Sequence, residues 1–441
     1  VHYQAYISKS DYVKTTLRQP NYVFALVYKV QAYFKKTLTT YISSASESGV
    51  AQALLYGYDD EIDSDVMQAY ANTGTLHVLA VSGMHVGLIF MILGWLLKFL
   101  DKNRKTLFAK QLLIIVSLWV YSLLCGLSPS ILRATVMFTF IIIGQMFKRP
   151  TNVYNTLAIS AFCLLCSDTN MIANVGFQLS YMAVIGIVFL QPYVYDWYNA
   201  STRIGHEIWS ITSVSIAAQI ATFPLGLLYF HQFPNYFLFS NLIIIPFTTI
   251  IIYIGIVLII FSKVHAIAMG LGWLMKWGIW ITNSIVIYVD RLPFSYVNGI
   301  HISIIQTILI FITLAFFISY FLTRNLSFFR NGIMATICFF VLQSFQFFEN
   351  KTQNKMVVYC VPGYTAINIL NGNQSLVITD SLLWNDKSKV RFHLQQHFWH
   401  SGIKSQEVLY ADSCWKQVEV NGKKIIVSGT HNPAGITDDS M

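Results

Sequence analysis

Serine, histidine and arginine inside apolar runs are the residues of this chain with chemistry to offer. His77-Val-Leu-Ala-Val-Ser82-Gly83-Met84-His85-Val-Gly87 opens the first long apolar run. A serine beside a histidine is the pair from which a nucleophile and its base are made. Ser82 and His85 are three residues apart on one predicted helix, and no acid inside the run completes a triad. An intramembrane hydrolase using Ser82 therefore stands as a competing reading. His77 and His85, eight residues apart, fall on roughly one face of a single span. Gly83 and Gly87 form a small-xxx-small pair, which lets a second helix approach closely.

A second cluster is Gly126-Leu-Ser128-Pro129-Ser130-Ile-Leu-Arg133-Ala134. Pro129 breaks the backbone between two spans, and Arg133 lies just inside the next apolar run. Broken backbone at membrane depth is tolerated only where protein or a water-filled cavity surrounds it. An arginine at that depth needs a partner or water. It is either a structural arginine bonded to its surroundings or one that faces an anionic passenger. A third cluster is Asn174-Val-Gly176-Phe177-Gln178-Leu-Ser180-Tyr181. A fourth runs from Gln219 to Pro224, then His231, then Ser240-Asn241 to Pro246. Asn and Gln in spans are commonly interhelical hydrogen-bonding groups. Pro224 and Pro246 are expected to kink their helices. Kinked helices with inward polar groups suit a polar path as well as a rigid bundle.

The elements that must position these residues are membrane helices. The chain has 441 residues, of which 55% are hydrophobic and only 11% charged, and its mean hydropathy is +0.54. A soluble domain is about 25% charged. So few charges cannot cover a soluble surface of this size, which excludes a soluble globular enzyme, a disordered chain and a fibrous repeat. A spanning helix needs about 20 largely apolar residues. Ten segments qualify as candidates: 76–100, 111–127, 132–147, 153–169, 174–195, 208–230, 236–261, 266–289, 302–322 and 332–348. The expected fold is a polytopic all-α membrane protein of about ten transmembrane helices with a small α+β extracytoplasmic C-terminal domain. Three regions follow: a lead-in segment 1–75, a transmembrane domain 76–348 and a terminal domain 349–441.

The loops on one side carry Lys98, Lys102, Arg104, Lys105, Lys110, Lys148, Arg149, Arg203, Lys263, Arg324 and Arg330. Those on the other carry Arg291, with Arg133 at the edge of a span. Basic loops stay in the cytoplasm, so both termini are expected outside it. Segment 266–289 is the weakest candidate, because Lys276 sits in its middle; lying flat on the membrane instead, it would reverse the orientation of everything after it. The net charge of +9 comes almost entirely from the apolar region and is explained by this topology. It is no footprint of nucleic acid.

Outside the spans, residues 20–42 carry apolar side chains at helical spacing with Lys29, Lys35 and Lys36 elsewhere, and read as an amphipathic helix on the outer membrane surface. Residues 47–75 hold six acids and no base. The two stretches read either as a solvated pair of surface helices or as a basic approach to an anionic substrate. In the tail, Met356–Val361, Ala366–Leu370, Ser375–Thr379 and Glu407–Tyr410 read as strands, with Asn371-Gly-Asn373 as a hairpin turn, residues 388–400 as a helix, and more strand around Asn421-Gly422. His393, His397 and His400 share a helix face and with His431 could hold a metal, although exposed helix residues explain them as well. Cys163 and Cys166 sit in an apolar stretch and read as buried. Cys360 and Cys414 could pair in an oxidising compartment. The chain opens at Val1 without an initiator methionine and reads as a fragment of something longer. It has no G-x-x-x-x-G-K-[ST] loop.

The four clusters, in this order, resemble the hallmarks of the ComEC competence family of inner-membrane DNA-uptake channels. The resemblance covers roughly residues 50–330, and Tyr3-Gln-Ala-Tyr-Ile7 resembles the segment after that family's OB-like domain. It implies a channel that passes single-stranded DNA into the cytoplasm during natural transformation, in the bacterial inner membrane. The residues of the path would be His77, Ser82, Gly83, His85, Gly87, Ser128, Pro129, Ser130, Arg133, Gly176, Gln178, Ser180, Gln219, Asn241 and Pro246. The partners would be a periplasmic DNA-binding protein, a nuclease, and a cytoplasmic DNA motor or single-strand-binding protein, with homo-oligomers conceivable. Val357 to Asp380 resembles the opening strands of the family's metallo-β-lactamase-like domain, yet an HxHxDH cluster is absent. No nuclease activity, cofactor or metal is therefore expected. The competing reading from another class is a small-solute transporter, which predicts inverted repeats that the sequence does not display.

Overall fold

A computed structural model describes residues 21–403, 405–410, 416–420 and 423–427. The readings at Tyr3–Ile7, Cys414, Asn421-Gly422 and His431 lie outside the described residues. The helices run in chain order as α1 (Tyr22–Tyr41), α2 (Ala45–Tyr56), α3 (Ser64–Asn72), α4 (Leu76–Leu79), α5 (Gly83–Leu96), α6 (Arg104–Leu124) and α7 (Pro129–Met146). There follow α8 (Val153–Ser167), α9 (Val175–Tyr195), α10 (Arg203–Phe230), α11 (Phe237–Ile260), α12 (His265–Asp290), α13 (Ile304–Thr323) and α14 (Leu326–Thr352). Two short strands, β1 (Gln232–Pro234) and β2 (Tyr296–Asn298), pair antiparallel between helices. After α14 come β3 (Asn354–Val358), β4 (Ala366–Asn371), β5 (Gln374–Thr379), α15 (Ser381–Asn385), α16 (Lys387–Val390), a π-helical turn over Arg391–Gln395, α17 (Gln396–His400), and β6 (Ser405–Tyr410), β7 (Lys416–Val420) and β8 (Lys423–Val427).

Among the described residues, seven helices are long and apolar enough to cross a membrane: α6, α7, α9, α10, α11, α13 and α14. The protein is a multi-pass membrane protein with a small mixed sheet near its C-terminus. Three of the ten candidate spans fall outside the seven, each for a visible reason. Segment 76–100 is not one helix. α4 stops at Leu79, the chain is extended at Ala80 and Ser82, and α5 has only 14 residues. Segment 153–169 forms a 15-residue helix, α8. Segment 266–289 forms a 26-residue helix, α12, with Lys276 along its length, and its Nζ donates to Ser43 Oγ at 3.0 Å.

The chain divides into two compact units. The first takes in residues up to Tyr70, Thr75–Tyr181 and Ser240–Tyr288. Its core joins Leu38, Leu54, Val86, Leu118, Ile131, Ile244, Ile251 and Met275. α2 lies within this core rather than on a solvated surface, and every residue from Glu47 to Tyr56 is buried. Its small residues explain why: the backbone of Glu61 passes so close to Gly49 that an added Cβ would sit 2.5 Å from the carbonyl oxygen. Leu55 in turn packs on Gly255 of α11, and Tyr121 Oη donates to its carbonyl at 3.2 Å. At the start of the unit, Asn21 caps α1 and Tyr22, Phe24, Leu26 and Tyr28 remain exposed. Cys166 is exposed and Cys163 half-buried, so α8 turns part of that cysteine pair outward instead of burying both.

The second unit takes in Ala71–Gly74, Met182–Phe239 and the residues from Val289 onward. α9 and α10 meet over Gly186, where an added Cβ would collide with Ala221 Cβ and come within 2.8 Å of the Ala217 carbonyl oxygen. In the tail, β3–β4–β5–β6 form one sheet, antiparallel until β5 pairs β6 in parallel. The parallel step requires a crossover, which α15 to α17 supply. The turn at Asn371–Asn373 has Gly372 at φ 57°, a left-handed position.

Candidate functional site

The N-terminus of α5 is built by its own sequence. Ser82 is extended at the cap and its Oγ accepts from Met84 N at 3.3 Å. His85 reaches back, and its Nδ1 accepts from Ser82 N at 3.1 Å. The two make a reciprocal cap of the kind that satisfies orphan N–H groups at a helix start. Ser82 Oγ and His85 Nδ1 lie 3.3 Å apart, a distance that invites a nucleophile–base reading. The backbone N–H already occupies the Nδ1 lone pair, however, which places the imidazole proton on Nε2. Nε2 is buried and meets no hydrogen-bond partner, so no acid orients this ring as a triad requires. His77 and His85 are not on one helical face, because the break at Ala80–Ser82 intervenes. His77 is exposed and His85 is 1% exposed.

Arg133 is the centre of the site. Gly126 and Leu127 take left-handed conformations at φ 72° and 55°, turning the chain so that Ser128 takes the position before α7, without a side-chain capping bond, and Pro129 falls in its first turn. Pro129 thus starts a helix, as its fixed φ and missing N–H favour. One turn on, Arg133 is only 6% exposed. Its Nε donates to Ser180 Oγ on α9 at 2.8 Å, and Nη1 lies 3.3 Å from Met137 Sδ. The guanidinium stands 5.7 Å from the Tyr181 ring centroid, within cation–π range. Tyr181 is fixed by Ser160 of α8, Oη to Oγ 3.0 Å, and by Phe177 at 4.4 Å between centroids. On the other side the guanidinium fills the space over Gly83, where an added Cβ would be 2.8 Å from Nη2. No Asp or Glu among the described residues forms an ion pair with Arg133.

The structure therefore brings together Ser82, Gly83, His85, Arg133 and Ser180 across α5, α7 and α9. Gly87 faces Phe138, with 3.6 Å from an added Cβ to the ring, and Phe138 stacks on Phe90 at 4.9 Å. Ser128 and Ser130 are half-buried beside the turn. Gly176 lies next to Asn174, whose Oδ1 accepts from Phe177 N at 3.2 Å, and Gln178 Nε2 donates to Ile172 O at 2.8 Å. Both serve the start of α9. Asn241 and Ser240 are buried on α11 with Asn241 Oδ1 and Ser240 Oγ unpartnered, and Pro246 lies further along that helix. Gln219 belongs to the second unit, half-buried on α10. Ser160, Met137 and Tyr181 complete the Arg133 setting. The spacing of Ser160 and Met137 gave no signal, because their contacts are made only when α7, α8 and α9 pack. Among the described residues no group of three or more His, Cys, Asp or Glu side chains is placed to hold a metal ion.

A family model described as competence protein matches residues 54–325. The chain belongs to the competence-protein family. The matched stretch contains every member of the Arg133 cluster. ComE operon protein 3 of Bacillus subtilis (strain 168) is 29% identical over 232 residues, covering 52% of this chain and 29% of that protein. Recombination protein 2 of Haemophilus influenzae (strain ATCC 51907 / DSM 11121 / KW20 / Rd) is 25% identical over 211 residues, covering 46% of this chain and 27% of that protein. An uncharacterized protein of Aquifex aeolicus (strain VF5) is 31% identical over 144 residues, 32% of this chain and 33% of that one. The chain thus matches about a third or less of the length of these relatives. No solved structure gives a significant match.

Proposed function

We propose that this competence-family chain forms an inner-membrane channel for single-stranded DNA entering the cytoplasm in natural transformation. The observation that carries the reading is Arg133, a buried cation among serines, a methionine and an aromatic ring, with no ion pair to an acid among the described residues. A charge desolvated in this way is costly, and its setting suits an anion that arrives transiently. The proposed path is lined by His77, Ser82, His85, Ser128, Ser130, Arg133, Gln178, Ser180, Gln219 and Asn241, with Gly83, Gly87, Pro129, Gly176 and Pro246 shaping the helices that carry them. In the conformation described Arg133 is covered, so passage requires α5, α7 and α9 to part. Weak contacts at several points let a phosphate backbone keep moving.

The proposed topology has ten crossings, the seven long helices together with the α4–α5 segment, α8 and α12, and both termini outside the cytoplasm. Residues 1–75 form the lead-in, 76–348 the transmembrane domain, and 349–441 a small domain that does no nuclease chemistry. The partners proposed are the lipid bilayer, a periplasmic DNA-binding protein, a nuclease that yields the single strand, a cytoplasmic motor or single-strand-binding protein, and a second copy of the chain. The capping geometry of Ser82 and His85 disfavours the hydrolase alternative.

A two-compartment uptake assay tests the channel. In a strain lacking the gene, labelled DNA should reach the periplasm and not the cytoplasm, and the wild-type gene should restore entry where Arg133→Ala does not. Normal cytoplasmic entry without the gene would reject DNA as the passenger and favour a small solute.

A further inference from the structure

The site above leaves the histidines of the second unit unused. His231 ends α10 in a left-handed conformation at φ 54°, His301 stands just before α13, and His397 and His400 lie on α17. The fold gathers them from three distant stretches of chain. The ring centroids of His231 and His301 are 5.3 Å apart, those of His301 and His400 4.4 Å, and those of His397 and His400 6.5 Å. Trp399 stands edge-on to His231 at 5.9 Å and covers Gly299, where an added Cβ would be 3.3 Å from the indole. Two amides of α14 and its C-cap fasten the same corner. Asn350 Nδ2 donates to His400 O at 3.1 Å, and Gln353 Nε2 to Ser401 O at 2.7 Å. α17 is thus seated on the β1–β2 pair and on the end of α14.

The electrostatics of this seat are one-sided. Next to it opens a cavity of about 430 Å³ whose wall includes His301, Gln346, Glu349, Lys355, His397 and His400. Lys355 adds positive charge, and Arg391 comes within electrostatic reach of Tyr296 on β2. Among the described residues Glu349 is the one acid of the wall, and no imidazole here makes an ion pair with a carboxylate. His397 can keep its bonds whichever way its protons lie, because its partners are hydroxyls, Tyr359 Oη at 2.7 Å and Ser401 Oγ at 3.3 Å. His301 Nδ1 meets the Gln346 amide nitrogen at 2.8 Å, an arrangement that wants a neutral ring. His231 Nδ1 is buried and unpartnered. The rings are not placed to share a metal ion.

We propose that His231, His301 and His400 form an acid-sensitive latch, in which neutral rings at His231 and His301 keep α17, with His400, seated on the β1–β2 pair, and their protonation releases it. Like charges 4.4 to 5.3 Å apart in a partly buried setting repel strongly. Burial, reinforced by His400 and His231, pushes the His301 imidazole down to about 4, and burial lowers His231 and His397 as well. A ring held low when seated takes its proton more readily once released. Seating is therefore complete above the ordinary imidazole value of about 6.5 and is lost as pH falls from there towards the lowered values. Each proton taken up shifts the balance about tenfold per pH unit within that window. Release would open the cavity wall that α17 now supplies.

Hydrogen–deuterium exchange on the full chain in lipid nanodiscs tests the latch, with labelling at pH 7.5 and 5.0 and times corrected for the intrinsic exchange rate. Segments 294–302 and 396–403 should lose protection by about thirtyfold at pH 5.0 for one linked proton, while α6 and α7 stay unchanged. The double variant His301→Gln/His400→Gln should show a clearly smaller loss than wild type, the remainder carried by His231 and His397, and His393→Gln should behave as wild type. Unchanged wild-type protection at pH 5.0, or the same loss in the double variant, overturns the proposal. Should the double variant not fold, His231→Gln, whose Nδ1 has no bond to lose, should weaken the pH response; an undiminished response would count against the latch.

Discussion

Arg133 Nε donates to Ser180 Oγ at 2.8 Å, tying α7 to α9 through a buried cation that no acid among the described residues pairs with. A bond to a charged group of this kind contributes about 1.5–3 kcal/mol. Ser180→Ala should therefore lower the thermal stability of the purified protein and reduce DNA entry without abolishing it. Arg133→Lys should do worse than Ser180→Ala, since an ammonium cannot hold Ser180 and Met137 in the same plane while facing Tyr181. Equal stability of wild type and Ser180→Ala would show that the bond carries nothing.

Gly83 and Gly87 look alike in the sequence, and the structure separates them. An added Cβ at Gly83 meets Arg133 Nη2 at 2.8 Å, whereas at Gly87 it meets the Phe138 ring at an ordinary 3.6 Å. Gly83→Ala should displace the guanidinium and cut uptake at least tenfold. Gly87→Ala should stay within about twofold of wild type and gain slightly in helix propensity, by about 0.5–1 kcal/mol. Uptake measured with matched membrane expression checks both, and the reverse order would put the close approach at the wrong glycine.

Ser82 distinguishes a cap from a nucleophile. Ser82→Asn retains a capping oxygen without placing a charge beside Arg133 and should retain uptake, while Ser82→Ala should lose about 1 kcal/mol of helix-start stability. A hydrolase would be inactive with either substitution and would be labelled at Ser82 by a serine-reactive probe. Transformation frequency together with probe labelling of isolated membranes decides between the two.

Lys35 and Glu61 form an ion pair, and Gln52 Nε2 also donates to Glu61 Oε2 at 2.6 Å. The hydrogen bond from Lys35, then that from Gln52, holds the Glu61 carboxyl below its ordinary range. The contribution of Glu61 is therefore present above the ordinary glutamate value of about 4.3 and is lost as pH falls through the lowered one. Lys35 is raised, chiefly by the same bond, so its share persists until pH rises past the ordinary lysine value. Protease protection of segment 57–63 should fall between pH 5 and pH 3 in wild type, and this fall should be smaller in Glu61→Gln. An identical fall in both would place the acid sensitivity elsewhere.

Composition and the ordered polar clusters determined the class and the family by themselves. So few charges leave only lipid as the surroundings of most side chains, and a motif such as Gly-Leu-Ser-Pro-Ser-Ile-Leu-Arg is legible without knowing what it touches. The tail strands β3 to β6 were legible for a similar reason, since alternation and an Asn-Gly turn are local signals. Tertiary structure decided the rest. Hydropathy alone ran 76–100 into one span, because Ala80, Val81 and Ser82 give no sign that they will be extended to form a cap. It placed residues 47–56 in a lead-in read as surface, because Glu47 and Glu61 count as charges in a sequence whether or not Gly49 lets a helix pack against the Glu61 backbone. The setting of Arg133 and the meeting of His231, His301 and His400 are products of packing between distant segments. No periodicity reports them, since each contact exists only once helices far apart in the chain have come within side-chain reach.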